Sequence, residues 1–302
     1  MERKVIVIAG PTAAGKTGLS IEIAKTLGGE IVSADSRQVY RGLNLGTGKI
    51  TPQEMEGIPH HLLDVADPKD TFSASDFVRL GRGAIDDILK RGKVPIIVGG
   101  TGFYIDALLG SISLPEVPAD PAFRFQLSGF SLEELNAKIK KLDPEKAKTI
   151  DTKNPVRLIR AIEIARALGA VPPSAPEKIY DTLFIGLTLP QEELKTRIHT
   201  RLLGRVEEGM LEEAKSLHAK GLSFERMEEL GLEYRYMARH LNGDMTQGEM
   251  LESLEKEIVQ YAKRQITWLK RNKDIHWFRP EQKEEILLMC GEHVTPSVST
   301  IS

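Results

Sequence analysis

The chain has 302 residues, of which 41% are hydrophobic and 28% charged, and its formal net charge is −2. These values are typical of a globular protein with a full hydrophobic core, and the length suggests about two domains. They exclude a strongly basic nucleic-acid-binding chain, so any nucleic-acid partner requires local basic patches.

The ends and apolar runs of the chain indicate its compartment. No run approaches the roughly 18 apolar residues of a membrane helix, and the chain enters its first strand pattern without a signal peptide. We therefore expect a cytoplasmic protein without a membrane partner. The single cysteine, Cys290, cannot form an intrachain disulfide and is expected to be a small buried side chain.

The first motif, "AGPTAAGKTGLS", follows an apolar strand pattern at 4–10 and precedes a helical pattern that Gly28 closes. Its Gly10-x-x-x-x-Gly15-Lys16-Thr17 spacing fits a phosphate-binding loop, in which backbone N–H groups and a helix N-terminus surround a phosphate. Lys16 would add a positive charge, and the Thr17 hydroxyl would bind Mg²⁺. The motif indicates a bound diphosphate or triphosphate but does not identify the reaction.

The second predicted strand, 30–36, ends in a polar group of four residues: Asp35, Ser36, Arg37 and Gln38. Because the second strand lies beside the phosphate loop in a doubly wound sheet, Asp35 is a candidate base or metal-orienting carboxylate. A turn-forming role for Asp35 is equally consistent with its position.

The third predicted strand, 60–65, contains the pair His60 and His61 and leads to Asp64. Adjacent residues of a strand point to opposite faces, so we assign the two histidines no metal. A hydrophobic strand that ends in the aspartate of an ATP-hydrolysing protein is not obvious anywhere in the chain, and only Asp64 comes close.

A helical pattern at 75–90 is followed by a fourth predicted strand, 94–100, and by Thr101. The glycines of "VGGTGFYI" allow the backbone to approach a ligand, and Thr101 can donate a hydrogen bond to it. Thr101 is also a suitable helix N-cap.

The interval from about 113 to 180 departs from this alternation, because proline-rich segments flank helical patterns without a strand between them. We predict a helical insertion at 114–179, a catalytic core made of 1–113 and 180–285, and a C-terminal tail at 286–302. Within the insertion, Asn154 is the predicted cap of a helix that carries Arg157 and Arg160 on one face.

The last part of the chain contains strand patterns at 181–189 and 275–278 and long helical patterns at 191–209 and 247–271. Arg197 and Arg201 are four residues apart and could close over a diphosphate, although exposed helix arginines are the commoner case. The final helical pattern has one buried face and one basic face. A basic face of this kind is usually only exposed to solvent. The buried face comprises Ile258, Ala262, Ile266 and Leu269, and the basic face comprises Lys263, Arg264, Lys270 and Arg271.

Strands and helices alternate along most of the chain, which predicts an α/β fold: a doubly wound parallel sheet with helices on both faces and an inserted helical subdomain. In such a sheet the ligand binds at the carboxyl ends of the strands.

Eight segments resemble, in order and spacing, the tRNA dimethylallyltransferase family, also called tRNA isopentenyltransferases. They are "GPTAAGKT", "SADSRQVYRGLNLGT", "GIPHHLLD", "VPIIVGGTGFYI", "ADPAFR", "NPVRLIRAIE", "LGLEYR" and "KRQITWLKR". The resemblance covers roughly the first 275 residues. It departs at "FRFQLSGFSLEELN", which is shorter than the helical segment that the family has there.

The resemblance implies transfer of a dimethylallyl group from dimethylallyl diphosphate to N6 of the adenosine immediately 3′ of a tRNA anticodon. It implies Mg²⁺ as the cofactor, the anticodon stem-loop of tRNA as the partner, and Asp35, Thr101 and Lys16 as catalytic residues. We expect a monomer. The implied diphosphate-binding residues are Gly10, Pro11, Thr12, Ala13, Ala14, Gly15, Lys16 and Thr17, and Arg197 and Arg201 are added to them from their spacing.

The resemblance also implies a set of residues that contact tRNA. They are Asp35, Ser36, Arg37, Gln38, Thr101, Arg124, Val156, Arg157, Leu158, Ile159, Arg160, Leu230, Gly231, Leu232, Glu233, Tyr234, Arg235, Lys263, Arg264, Gln265, Ile266, Thr267, Trp268, Leu269 and Lys270.

Two alternatives stay open at this point. A P-loop small-molecule kinase would use Arg197 and Arg201 as lid arginines and would phosphorylate a small alcohol with ATP. A non-catalytic RNA-binding protein with a vestigial loop would bind tRNA without consuming a prenyl diphosphate. The basic helix faces count against the kinase, and the intact Gly15-Lys16-Thr17 counts against the vestigial loop.

Overall fold

A computed structural model of the chain describes residues 3–173 and 175–295. The described residues form two compact units, one within 3–110 and 178–295 and the other within 111–173 and 175–177. No helix in the described ranges is long and apolar enough to cross a membrane.

The first unit contains a parallel sheet of six strands in the order β3-β2-β4-β1-β5-β6. The strands are β1 (Lys4–Ala9), β2 (Gly29–Ser33), β3 (His60–His61), β4 (Val94–Gly99), β5 (Asp181–Leu187) and β6 (His276–Phe278). All six predicted strands are present, and β1 lies inside the sheet with β4 and β5 as its neighbours. The predicted α/β fold is confirmed.

The predicted strand at 60–65 is wrong beyond His61, because the chain leaves the sheet there. Leu62 and Asp64 have φ values of 66° and 55°. Such left-handed conformations do not continue a strand. Because neither residue is glycine, the sequence gives no indication of these conformations.

Thirteen helices accompany the strands in the described ranges. They are α1 (Lys16–Leu27), α2 (Ala74–Lys90), α3 (Gly102–Leu109), α4 (Pro121–Ser128), α5 (Leu132–Leu142), α6 (Pro144–Thr149), α7 (Pro155–Leu168), α8 (Gln191–Glu207), α9 (Met210–Ala219), α10 (Phe224–Leu230), α11 (Leu232–Leu241), α12 (Gln247–Leu269) and α13 (Lys283–Val294). Helices α4 to α7 belong to the second unit.

The central strand β1 supplies side chains to hydrophobic layers on both faces of the sheet. Val5 and Val7 pack in a cluster with residues of α2 and α3, whereas Ile6 and Ile8 pack with α1 and α13. Because successive strand residues point to opposite faces, this alternation places helices on both sides, as in a doubly wound sheet. A third hydrophobic cluster contains buried side chains from each of the five helices α8, α9, α10, α11 and α12.

Residues after Arg279 contribute to the core as well. In α13, the side chains of Ile286 and Cys290 are buried in the cluster that contains Ile6 and Ile8. Burial raises the pKa of the Cys290 thiol to about 11, which makes it an inert side chain, as expected from the sequence. The described part of the segment that we separated as a tail, up to Thr295, therefore includes a packed helix.

The second unit is a small helical bundle, with Leu127, Leu135, Ile139, Leu158 and Ile162 among its buried side chains. Its longest helix, α7, begins as the sequence predicts. The Asn154 side chain accepts a hydrogen bond from the Arg157 N–H at 3.1 Å, and Pro155 takes the first helical position.

Candidate active site

A cavity of about 820 Å³ opens in the first unit at the carboxyl ends of β1, β2 and β4. The phosphate loop, the segment after β2, the segment after β4, and helices α8 and α12 each contribute to its lining. This is the edge of a parallel sheet at which ligands bind, and it is where the sequence predicted the site.

The phosphate loop leaves the end of β1 and enters α1 without a side-chain cap. Gly15 takes the N-cap position with φ 88°, and no side chain bonds to the amides of the first turn. Ala13 is also left-handed, with φ 62°. A Cβ at Gly10 would approach the Leu187 carbonyl oxygen to 2.8 Å, so the turn out of β1 requires glycine. The open amides and the positive end of α1 make this loop suitable for an anion.

Lys16 extends over the loop that carries it. Its Nζ donates hydrogen bonds to the carbonyl oxygens of Gly10 at 3.0 Å and Pro11 at 2.7 Å. Burial and the neighbouring Arg201 lower the pKa of Lys16 to about 8, against a smaller opposing effect of Asp35. The ammonium is therefore held in a place where its charge is unfavourable until an anion arrives.

Asp35 lines the cavity and also forms the turn that follows β2. Its Oδ1 accepts hydrogen bonds from the N–H groups of Arg37 at 2.8 Å and Gln38 at 3.4 Å. The turn-forming interpretation is thus observed for one oxygen. Among the described residues, no group donates a hydrogen bond to the second oxygen, Oδ2, which leaves it available to a substrate.

Thr101 connects the segment after β4 to the segment that contains Asp35. It stands at the N-cap position of α3, but its side chain caps no amide of that helix. Instead, Thr101 Oγ1 accepts a hydrogen bond from the Ser36 N–H at 3.2 Å.

Tyr261 of α12, which sequence reasoning missed, lines the same cavity. Burial and the nearby Asp35 raise the pKa of Tyr261 to about 12, so the phenol stays neutral. Its position one helical turn before Gln265, on the inward face of α12, is the sequence signal that could have found it.

Three arginines of α8 line the cavity at successive turns. Arg197 bonds to Glu193 at 2.8 Å, and Arg201 donates to the Gly48 carbonyl oxygen at 3.0 Å. Burial and the proximity of Arg205 lower the pKa of Arg201. The cavity lining has six Lys and Arg side chains against four carboxylates, although Arg197 and Arg205 are paired with Glu193 and Glu233. Arg205, four residues beyond the predicted pair, was missed although the same spacing points to it.

Arg205 and Glu213 fix the glycine-rich loop at 43–49, which forms another wall of the cavity. Glu213 accepts the N–H groups of Asn44, Leu45 and Gly46 at 2.8 to 3.0 Å. Arg205 Nη1 donates to the Gly46 carbonyl oxygen at 2.7 Å. A loop bonded at this many backbone groups presents a rigid surface.

Asp64 and the paired histidines form contacts with protein groups. Lys49 Nζ lies 2.5 Å from Asp64 Oδ1, and His61 Nε2 lies 2.8 Å from Glu30 Oε2. Within 3–173 and 175–295, no cluster of three His, Cys, Asp or Glu side chains could hold a metal ion. A Mg²⁺ ion beside the phosphate loop would therefore be held mainly by phosphate and water oxygens. The exposed Thr17 hydroxyl would be its protein ligand.

The residues that the resemblance assigns to tRNA contacts separate into exposed and buried groups. Six of them are buried: Gly231, and five whose side chains contact the protein interior, namely Leu158, Leu230, Tyr234, Gln265 and Leu269. In the structure described, packing or hydrogen bonds occupy these five side chains, so their contact with tRNA stays a prediction. The exposed members include Val156, Arg157, Lys263, Arg264, Thr267 and Lys270.

Two of the assigned arginines share one carboxylate in the second unit. Arg124 forms two hydrogen bonds with Glu163, at 3.0 and 2.7 Å, and Arg160 bonds to the same carboxylate. Burial would raise the pKa of Glu163, but these arginines and the Asp120 N–H hold it at about 2. The pair of arginines is therefore partly neutralised and is held in place by Glu163.

On α12, the basic face predicted from the sequence is exposed. Lys263, Arg264 and Lys270 are accessible, and Arg264 pairs with Glu257 at 2.7 Å. Trp268 donates its indole N–H to Asp106 at 2.7 Å, and the Arg271 guanidinium lies 4.5 Å from the Trp268 ring centroid. Cations and a partly buried aromatic ring thus share one helix surface next to the cavity wall.

Comparisons with known proteins agree with this geometry. The family model described as IPP transferase matches residues 38–272. The chain is 44% identical to tRNA dimethylallyltransferase 2 of Citrifermentans bemidjiense, over 88% of this chain and 86% of that protein. It is 40% identical to the tRNA dimethylallyltransferase of Bacillus pumilus, over 94% of each chain.

Solved structures give the same result. The crystal structure of a tRNA isopentenylpyrophosphate transferase from Bacillus halodurans matches with a TM-score of 0.74 and 37% identity, over 97% of each chain. A eukaryotic dimethylallyltransferase, captured while acting on tRNA, matches with a TM-score of 0.81 and 27% identity, over 97% of this chain and 80% of that one. The family model covers more than half of the residues and the relatives align along nearly the whole chain, so this chain belongs to the IPP transferase family.

Proposed function

We propose that this protein transfers a dimethylallyl group from dimethylallyl diphosphate to N6 of the adenosine immediately 3′ of the anticodon in tRNA. The observation that carries the proposal is one cavity lined both by Lys16 and the phosphate loop and by Asp35, with Thr101 bonded to the Ser36 N–H next to Asp35. One group of residues is suited to a diphosphate and the other to a proton-bearing nucleophile. Family membership supports this pairing, and it leaves the kinase alternative without support.

The reaction breaks the allylic C–O bond of the prenyl diphosphate and forms a C–N bond to the adenine amine. Negative charge grows on the departing diphosphate, where the loop amides and Lys16 stabilise it more in the transition state than in the bound substrate. The amine loses one proton as it becomes bonded to carbon. Asp35 Oδ2 accepts that proton, while Oδ1 keeps the carboxylate oriented through the Arg37 N–H.

Magnesium, when bound, neutralises part of the diphosphate charge. The Thr17 hydroxyl at the start of α1 would hold it together with phosphate oxygens and water, a ligand set that Mg²⁺ accepts. The cationic row on α8 supports the same anion: Arg197 and Arg201 lie on the cavity wall, and Arg201 is already oriented by the Gly48 carbonyl.

The acceptor base must leave its stack to reach Asp35, which an unpaired loop permits at low energetic cost. The exposed cations of α12 provide phosphate contacts beside the cavity. Gln38 of the Asp35 turn lines the same cavity and is the polar side chain that we expect to contact an adenine edge.

The test is mass spectrometry of nucleosides from unmodified tRNA incubated with the protein, Mg²⁺ and dimethylallyl diphosphate. We expect a mass increase of one dimethylallyl group on adenosine, restricted to the position 3′ of the anticodon. Phosphorylation of a small alcohol with ATP and without RNA would support the kinase instead. Binding of tRNA without any consumption of prenyl diphosphate would indicate the vestigial loop.

A further inference from the structure

Gln265 of α12 is buried, with 6% of its surface exposed, in a helix whose neighbouring residues carry exposed cations. Its side-chain amide uses both of its polar ends. Oε1 accepts the Thr12 N–H at 2.9 Å, and Nε2 donates to the Gly100 carbonyl oxygen at 3.0 Å. Gln265 therefore bridges the phosphate loop and the segment that leads to Thr101.

The peptide between Pro11 and Thr12 is held at both ends by functional side chains. Its N–H bonds to Gln265, and its C=O accepts the Lys16 ammonium at 2.7 Å. A rotation of this peptide would move the carbonyl that orients Lys16. The hydrogen bond from Thr12 to Gln265 opposes that rotation, because the accepting amide is itself anchored by its buried hydrogen bond to the Gly100 carbonyl oxygen.

The other end of the bridge acts on the acceptor side of the cavity. Gly100 precedes Thr101, whose hydroxyl oxygen binds the Ser36 N–H next to Asp35. A Cβ at Gly100 would lie 2.0 Å from Gln265 Nε2, so a side chain at this position would displace the Gln265 amide from the bridge. One side chain thus connects the loop assigned to the diphosphate with the turn assigned to the adenine.

We propose that Gln265 is a positioning residue that fixes the phosphate loop relative to the Thr101 segment, so that leaving group and base are presented in one reaction geometry. The inference rests on the proposed function. A displacement of reacting groups by about 1 Å can cost on the order of a hundredfold in rate. Loss of the bridge therefore lowers the rate of transfer more than it weakens tRNA binding.

The experiment compares Gln265→Met, which conserves length and removes both hydrogen bonds, with Gln260→Met as a matched control. Gln260 lies on the same helix and is exposed. We expect kcat for tRNA prenylation to fall about ten- to hundredfold in Gln265→Met, with an unchanged dissociation constant for tRNA. Amide hydrogen exchange in the peptide that contains Thr12 accelerates, and inorganic diphosphate binds more weakly. Gln260→Met behaves as wild type in every measurement.

Wild-type kcat, or unchanged exchange around Thr12, in folded Gln265→Met overturns the positioning role. If the Met variant does not fold, Gln265→Glu replaces it: the carboxylate still accepts the Thr12 N–H but cannot donate to Gly100. That variant retains slow exchange at Thr12 and still loses kcat, and wild-type kcat in it overturns the proposal. Amide hydrogen exchange and the binding of inorganic diphosphate require no turnover, so they test the role of Gln265 independently of the reaction. Failure of the wild-type protein to prenylate tRNA would refute only the proposed function.

Discussion

Lys16 is the residue whose charge state couples the candidate site most directly to pH. In the protein without ligand its pKa is lowered to about 8, chiefly by burial. A diphosphate beside the ammonium favours the charged form and raises that pKa. Between pH 8 and the higher pKa of the complex, binding therefore takes up a proton.

From this linkage we expect the dissociation constant for inorganic diphosphate to increase by up to about tenfold per pH unit above pH 8. Below pH 8 the lysine is charged in both states, so its contribution is constant. Isothermal titration calorimetry between pH 7 and 10 measures this, with Lys16→Met as the control that lacks the titrating group. A wild-type slope equal to that of Lys16→Met would contradict the assigned role of the ammonium.

Asp35 has a structural role in the turn after β2 and a proposed chemical role as the base. A single isosteric substitution separates the two roles. Asp35→Asn keeps an oxygen that can accept the Arg37 N–H, so we expect the turn and the fold to persist. The amide cannot take the amine proton, and kcat is expected to fall by about 10²–10⁴-fold. Single-turnover kinetics with saturating tRNA measures the chemical step. A variant with the wild-type rate would exclude Asp35 as the base.

At the scale of single elements, the exposed cations of α12 form the surface beside the cavity to which RNA phosphates are expected to bind. We expect the double variant Lys263→Ala/Arg264→Ala to bind tRNA more weakly and with a smaller salt dependence. Each lost phosphate contact reduces the slope of log K against log salt by about 0.7–0.9. Filter binding at several salt concentrations gives the slope.

The control for this pair is Lys90→Ala/Lys93→Ala, which also removes two exposed cations. Those lysines lie where α2 ends and β4 begins, at the edge of the sheet opposite the cavity. If both double variants reduce the slope equally, the effect reflects net charge and α12 is only a solvated helix face.

Glu163 is the ionic centre of the second unit. Its buried carboxylate binds Arg124, Arg160 and the Asp120 N–H, so Glu163→Gln leaves the arginines without an anionic partner. Because both arginines are partly exposed and can be hydrated, we expect a loss of about 1–3 kcal/mol rather than more. Hydrogen exchange of α4 and α7 reports this locally.

The matched control is Glu145→Gln in α6 of the same unit, whose carboxylate is 81% exposed and pairs with Lys148. An exposed pair of this kind contributes little, and we expect no measurable change. Equal exchange in both variants would show that Glu163 does not stabilise the unit.

The elements that the sequence predicted well are those with a local cause. Strands β1, β4 and β5 are largely apolar runs, and α7 begins at a capping Asn154 followed by a proline, so pattern and cap agree. The third strand was predicted four residues too long because left-handed Leu62 has no local sequence signature. Gln265 was assigned to an RNA surface by its neighbours, whereas its burial is set by its angular position on α12.

At the scale of the whole molecule, the candidate site depends on contacts between distant parts of the chain. The phosphate loop and Asp35 were predictable, because each follows an apolar strand at a known edge of the sheet. The hydrogen bond between Thr12 and Gln265 joins residues 253 positions apart, and Glu213 reaches Gly46 across 167 positions. Such pairs have no local pattern, so only the folded structure reveals Gln265 and Glu213 as supports of the cavity.

The central claim is that the phosphate loop serves a prenyl diphosphate and not a nucleotide. The most direct measurement incubates the protein with Mg²⁺, dimethylallyl diphosphate and an anticodon stem-loop that carries adenosine 3′ of the anticodon, without ATP, and counts the diphosphate released and the base modified. We predict one diphosphate per dimethylallyl adenosine, with both products reduced in Lys16→Ala. A strict requirement for ATP, or ATP consumption stoichiometric with product, would contradict the account.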